Sequence, residues 1–300
     1  MSRITNKIVL ITGGASGIGK IMGRKCMEEG ASELVIWDIN QKGLDETALE
    51  FGNKGYKVHT YKVDVSDLQS IQDAASKVAT EVGTIDILFN NAGIVVGKHF
   101  EDHSYEDIEK TVRINVLGVM HIARAFVAGM IKKGAGHIIN ISSASAFTPN
   151  PRMSVYAGSK WAVLGWSESL RLEMEQINDR QKTDLHVTTV MPGYIDTGMF
   201  GGVTAPVLTP LLVPEEISSE IINAVKSNEI LVQEPFMVKV VPLLRGILPA
   251  RVYDFLAGNI FNVYNSMSKF TGRDEVSSST KKHSRNLGSA IQEQEIPAIK

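Results

Sequence analysis

Short apolar runs alternate along this chain with longer, helix-like segments. The runs KIVLITG (7–13), ELVIWD (33–38), KVHTYKVDV (57–65), IDILFNNAG (85–93), GHIINISS (136–143), HVTTVMPG (186–193) and EILVQ (229–233) predict strands, most of them bounded by Gly, Asn, Asp or Ser. Residues 17–29, 67–82, 105–131 and 154–178 predict helices between them. Strands that alternate with helices imply crossover connections, hence a parallel sheet with helices on both faces. The strands agree, because they are almost continuously apolar, whereas a half-exposed antiparallel strand would alternate. The expected architecture is a doubly wound α/β domain.

That pattern ends near residue 235, which sets the expected domain at 1–235. Residues 236–272 follow as an apolar, helical extension. From Arg251 on, Val252, Phe255, Leu256, Ile260, Val263, Met267 and Phe270 recur at helical spacing, with Asp254, Asn262, Asn265 and Lys269 mainly between them. One amphipathic helix is expected here, either covering a cleft, joining two copies or resting on a lipid surface. Residues 273–300 are mostly polar and are expected to form a flexible tail.

Composition narrows the functional classes. With 300 residues, 43% of them apolar, the chain can bury one full core. A net charge of −2 and a pI near 6.4 supply no basic field for nucleic acid. Cys26 is the one cysteine, which suits a reducing compartment. The start, MSRITNKIVLITGG, reaches a strand without an apolar signal region or anchor, and no uninterrupted apolar stretch approaches the ~20 residues of a membrane span. A cytoplasmic protein is expected, with peripheral membrane association through 236–270 as the variant. The seven histidines show no metal-ligand spacing, so no metal is expected.

Chemistry enters at ITGGASGIGK (11–20), which joins the first strand to the first helix. Gly13, Gly17 and Gly19 stand where a tight turn, a close phosphate and helix–strand packing each exclude a Cβ. The helix N-terminus beyond them offers unpaired N–H groups to a pyrophosphate. Asp38 ends the second strand about twenty residues further on, where a carboxylate can accept from both ribose hydroxyls of an adenosine. A 2′-phosphate would meet that charge, and neither Ser16 nor Ile39 supplies a compensating cation, so NAD is expected rather than NADP.

With these residues in place the chain resembles the short-chain dehydrogenase/reductase family. The glycine pattern falls on Thr12, Gly13, Gly17 and Gly19, with Ile18 inside it. An Asn-Asn-Ala-Gly signature stands at Asn90, Asn91, Ala92 and Gly93, and a helix asparagine at Asn115. Ser143 precedes Tyr156 by thirteen residues, and Lys160 completes a Tyr-x3-Lys signature. PGYIDT supplies Pro192, Gly193, Ile195 and the carboxamide-binding Thr197. These motifs cover about residues 7–200, in order. LVIWDINQKGLDET and the ILPARVYDFLAGNIF region resemble the branch of 17-beta-hydroxysteroid and retinol dehydrogenases.

The resemblance implies a Rossmann-type fold and an NAD-dependent oxidoreductase that interconverts a secondary or allylic alcohol and its carbonyl. Hydride transfer at a carbinol carbon needs a partner for the hydroxyl proton. Tyrosine, with a pKa of about 10, is a poor base at neutral pH. A Lys160 ammonium one helical turn away, and a positive nicotinamide, would lower that pKa. Ser143 can hold the substrate oxygen through the transition state, with Ser142 and Ser145 as neighbouring rivals. The resemblance further implies that Lys160 holds the nicotinamide ribose and that Asn115, at a helix kink, binds a water linking Lys160 to solvent. It places Asp64 and Val65 near the adenine at the end of the third strand, lines the nucleotide with the Asn91 backbone, and implies a homodimer or homotetramer.

MFGGVTAPVLTPLLVPEEI (199–217) reads as a lid whose apolar side chains point to a lipophilic substrate such as a steroid or retinoid. Reduction of a 3-oxoacyl or small ketone is the rival within enzymology. A scaffold that binds NAD(H) without turnover is the rival outside it.

Overall fold

The computed structural model describes residues 3–272, so the expected tail at 273–300 lies outside the described residues. Seven strands form the sheet: β1 (Ile8–Thr12), β2 (Glu33–Asp38), β3 (Val58–Lys62), β4 (Ile87–Asn90), β5 (Ala135–Ile141), β6 (Asp184–Pro192) and β7 (Leu231–Glu234). Their spatial order is β3-β2-β1-β4-β5-β6-β7, with every pairing parallel. The order reverses between β1 and β4, and a crevice opens there beyond the carboxyl ends of the strands.

Helices α1 (Gly17–Glu28), α2 (Gln41–Asn53) and α7 (Pro214–Ser227) cover one face, with Met22, Phe51 and Ile221 in one core cluster; α1 packs on β1 and β2, α2 on β2 and β3, and α7 on β6, β7 and α1. On the other face, α3 (Leu68–Glu81), α5 (Val119–Lys133) and α6 (Ser154–Gln181) bury Ile71, Phe126 and Met174 against the same sheet. The doubly wound expectation holds, because strands covered on both faces must be apolar on both. Helices α2 and α7 fall outside the expected segments. The first has its N-terminus capped by Asn40, and the second begins with Pro214 and two glutamates, so the expected lid stops short of residue 217.

Three expectations are corrected. The third strand ends at Lys62, which leaves Asp64 and Val65 in the turn that follows; there Asp64 accepts from Ser66 N and Oγ. The helix expected over 105–131 is α4 (Tyr105–Val112) joined to α5 by a π-helical turn, Arg113–Gly118. Joined in this way, Tyr105–Lys133 is long and apolar enough to cross a membrane, its most apolar 18-residue window having a mean hydropathy of 1.7; the run still packs against α3 and α6. Nor is the extension one amphipathic helix from Arg251 onward. It breaks into α8 (Met237–Ile247), α9 (Ala250–Phe255) and short turns, and Asn262 at φ +54° ends any continuation. Met267 and Phe270, expected on that helix, lie on a strap instead.

Candidate active site

β1 delivers the chain into a turn at Gly13, left-handed at φ +65°, before α1 begins. A Cβ on Gly19 would collide with the Gly13 carbonyl and lie 2.6 Å from Asn91 Nδ2. Only glycine lets the first turn of α1 press so close to the loop, and its free N–H groups are thereby aimed at the crevice. Thr12 Oγ1 accepts from the N–H groups of Asn91 and Ala92, each at 3.0 Å. Asn91 Nδ2 donates in return to the carbonyls of Thr12 (2.9 Å) and Gly13 (3.2 Å). Its side chain therefore ties two loops together, beside the lining role expected of its backbone. At the end of β2, Asp38 accepts from Ala15 N (3.1 Å) and Asn40 N (3.0 Å), which fixes its carboxylate at the cleft.

The cleft has about 1330 Å³ of space, part of it open to solvent. Every expected cofactor residue except Thr12 lines it, from Gly13, Asp38 and Asp64 at one end to Ile195 and Thr197 at the other. Trp37, Asn40, Val63 and Ile94 join them without having been marked by the sequence. A dinucleotide fits these features: a cradle that a Cβ would fill, donors at a helix N-terminus and a carboxylate at the strand end.

Ser143, Tyr156 and Lys160 meet in the same cleft. Ser143, 7% exposed, follows β5 and shares a hydrogen bond with Tyr156; its Oγ also accepts from Ser145 N at 3.1 Å. Tyr156 and Lys160 lie one turn apart on α6, and Lys160 Nζ stands 5.6 Å from the phenol ring centroid while donating to Ile141 O at 2.8 Å. Burial pulls the Lys160 pKa down to about 8. It pushes Tyr156 well above the usual phenol value, a rise that the Ser143 hydrogen bond opposes and Tyr194 reinforces. Lysine was expected to lower the tyrosine; in the protein alone, desolvation of both groups outweighs that attraction. Ser142, the rival serine, turns away and donates to Lys160 O.

Asn115 sits fully buried in the π-helical turn, as the expected kink requires. Its amide accepts from Ile94 N and donates to Ile94 O and Ser159 Oγ, while Ser159 donates to the Tyr156 carbonyl. The side chain thus ties the β4 loop to α6 through Ile94 and Ser159.

A second cavity of about 900 Å³ begins where the first ends, with Ser143, Gly193 and Phe200 shared between them. The extension walls it: α8 contributes Val238, Val241 and Leu244, and Tyr253, Leu256 and Phe261 follow. Of the three roles expected for the extension, covering the cleft is what the packing displays. A strap then closes the roof. Thr271 N donates to Gly201 O, Thr204 N to Ser266 O, and Arg152 Nη1 to the carbonyls of Met267 and Ser268. Met267, 1% exposed, packs with Met153 and Tyr156. The sequence marked none of these as site residues; contacts across about a hundred positions leave no local signature. Among the described residues no cluster of His, Cys, Asp or Glu could hold a metal ion.

The model of the short chain dehydrogenase family matches residues 7–207, and the protein belongs to that family. It is an oxidoreductase acting on CH–OH groups, with a nicotinamide cofactor. It is 35% identical over 248 residues to estradiol 17-beta-dehydrogenase 11 of Pongo abelii, covering 83% of this chain and 81% of the relative. It is 34% identical over 275 residues to epidermal retinol dehydrogenase 2 of Mus musculus, covering 90% and 87%. Among solved structures, a short-chain dehydrogenase/reductase from Burkholderia phymatum in complex with NAD shares the fold at TM-score 0.74 and 23% identity, covering 82% of this chain and 95% of that one. A short-chain dehydrogenase from Sphingobium yanoikuyae in complex with NADPH aligns at TM-score 0.71 and 26% identity, covering 80% and 92%.

Proposed function

We propose that the protein interconverts a secondary or allylic alcohol and its carbonyl on a lipophilic substrate such as a steroid or retinoid, with NAD(H). One observation carries this reading: Ser143, Tyr156 and Lys160 stand where a polar, glycine-cradled cleft meets an apolar cavity. A nicotinamide cofactor held on the first side would supply or accept the hydride, and the second side would hold the hydrocarbon. Tyr156 Oη gives its proton to the carbonyl oxygen during reduction and takes it back during oxidation. The Ser143 hydroxyl donates to the same oxygen and steadies its charge. Lys160, buried beside the ring, favours the phenolate once the proton leaves. Gly13, Gly19 and the α1 N-terminus cradle the pyrophosphate, and Thr197 faces the carboxamide.

Asp38 supports NAD. Its carboxylate is pinned by two backbone N–H groups and repels a 2′-phosphate. A lipid surface is the proposed partner of the roof, since Leu243, Ile247 and Phe255 are exposed while Val238 and Leu244 of the same segment face the cavity.

The test is NADH absorbance with a panel of steroid, retinoid and acyl substrates. Tyr156→Phe is expected to lower kcat about 10²–10⁴-fold with NADH binding retained. If wild type and this variant are equally inactive on every substrate while NADH still binds, the protein is a nucleotide-binding scaffold. Asp38→Ala is expected to erode the preference for NAD over NADP, and an unchanged preference would remove the cofactor assignment.

A further inference from the structure

The apolar cavity differs from a general greasy pocket in where its hydrogen-bonding capacity lies. No charged side chain lines it. Of its polar side chains, those away from Ser143, Tyr253 excepted, have spent their protons on the protein. Thr148 Oγ1 donates to Ala144 O at 2.8 Å, and Thr209 Oγ1 to Pro206 O at 3.1 Å. Asn150 Nδ2 gives both its protons, one to Tyr194 Oη and one to Ser266 Oγ, each at 2.8 Å. Ser266 Oγ has one proton and donates it to Val263 O at 2.7 Å. Tyr194 is therefore the donor in its 2.9 Å bond with Ser266, and its proton is spent as well. At the reacting end the situation is opposite. The Ser143 hydroxyl faces both cavities, and Ser145 Oγ beside it is buried with no partner among the described residues.

From this asymmetry we infer that the substrate carries its hydrogen-bond-accepting function at the reacting end, and that the cavity takes a hydrocarbon chain or ring system with no second ether or carbonyl oxygen in its distal half. This rests on the oxidoreductase reading and narrows its substrate class. A distal ether or ketone oxygen, which can only accept, would leave water and find its would-be donors at Thr148, Asn150, Tyr194 and Thr209 already engaged. A water molecule would not rescue it, because an apolar wall offers too few polar partners to hold one. Tyr253 is the remaining hydroxyl on the wall and is the point at which the inference can be attacked.

The experiment uses the wild-type protein and three long straight-chain methyl ketones: an all-carbon chain and two isomers in which one methylene is replaced by an ether oxygen. One isomer has the oxygen near the carbonyl and the other has it in the distal half, so the two are equal in composition. Binding is measured by calorimetry with NAD+, where no hydride is available, and turnover is followed with NADH. The distal ether is expected to bind about tenfold or more weakly than its isomer, with the loss in KM rather than kcat. Equal binding of the two isomers, or tighter binding of the distal one, overturns the inference. So does Tyr253→Phe if it weakens the distal ether alone, since that tyrosine would then serve the second oxygen. Separated binding without reduction of any ketone keeps the inference and removes the oxidoreductase reading. Reduction of both isomers with equal efficiency does the reverse. If none of the three binds, both fall.

Discussion

The two halves of the proposed active site are built by opposite means. The cofactor half is made of backbone and short-range side chains: Gly13, Gly19, Thr12 and Asn91 hold one another within two loops that leave adjacent strands. The substrate half is made of remote pieces, with α8 and the strap brought over Ser143 by a few bonds such as Arg152 to Met267 and Thr271 to Gly201. Strand ends in a parallel sheet are fixed by many ladder bonds, so loops rooted in them inherit their rigidity. A roof held at its margins has far fewer constraints, which suits a part that must admit and release a bulky ligand. Binding of nucleotide and binding of substrate should therefore respond to different mutations.

The largest effect is expected at the rigid half. Gly19→Ala forces a methyl group into the Gly13 carbonyl, an overpacking cost of about 1–3 kcal/mol. NADH affinity, read by fluorescence titration, should drop roughly 10–100-fold for that cost. An unchanged affinity would mean that the turn yields and is not the rigid element. Met267→Ala should act on the other half. Deleting a buried Met side chain costs about 2–5 kcal/mol where the site cannot collapse, and here part of that cost falls on docking of the strap. The KM for a lipophilic alcohol should rise on the order of tenfold while the Kd for NADH stays constant. Equal changes in both constants would erase the distinction between the halves.

The smallest effect is a pH dependence at their junction. Lys160 titrates near 8 in the folded protein, below its ordinary value of 10.5. Above pH about 8 the unfolded chain keeps a proton that the folded chain has lost, so stability rises with pH. The rise is opposed from about pH 9, where the thiol of Cys26 ionises in the unfolded chain while burial keeps it protonated in the folded one, and again near pH 10, where unfolded tyrosines ionise while the buried Tyr156 keeps its proton. Denaturation midpoints between about pH 7 and 10 should show a gain in wild type that Lys160→Met lacks. A gain of the same size in the variant would assign the effect to another group.

The same division explains what was legible in the sequence. Gly13, Gly19, Asp38, Tyr156 and Lys160 could be singled out because the role proposed for each works through its neighbours in the chain, by a tight turn, a strand end or one helical turn. The parallel sheet with helices on both faces followed from apolar runs that tolerate burial on two faces, whereas strand order and register came only from the structure. The strap was not legible, since Met267 and Phe270 continue a helical spacing that the fold does not use; Asn262 and bonds to residues 152, 201 and 204 override it. Asn115 was found but its partners were not. An amide that holds Ile94 and Ser159 can only be recognised once α6 lies beside the β4 loop.

The match to the family ends at residue 207, yet the wall of the apolar cavity runs on to Val263 and its closure to Thr271. Under the proposed reading, the wall beyond residue 207 can change without touching Ser143, Tyr156 or Lys160, while Thr148, Asn150 and Tyr194 keep the rest of the wall inside the matched region. Evolution, or an engineer, can exchange the final segment between relatives as a cassette. The same hydride-handling machinery would then be retargeted without altering one glycine of the cradle.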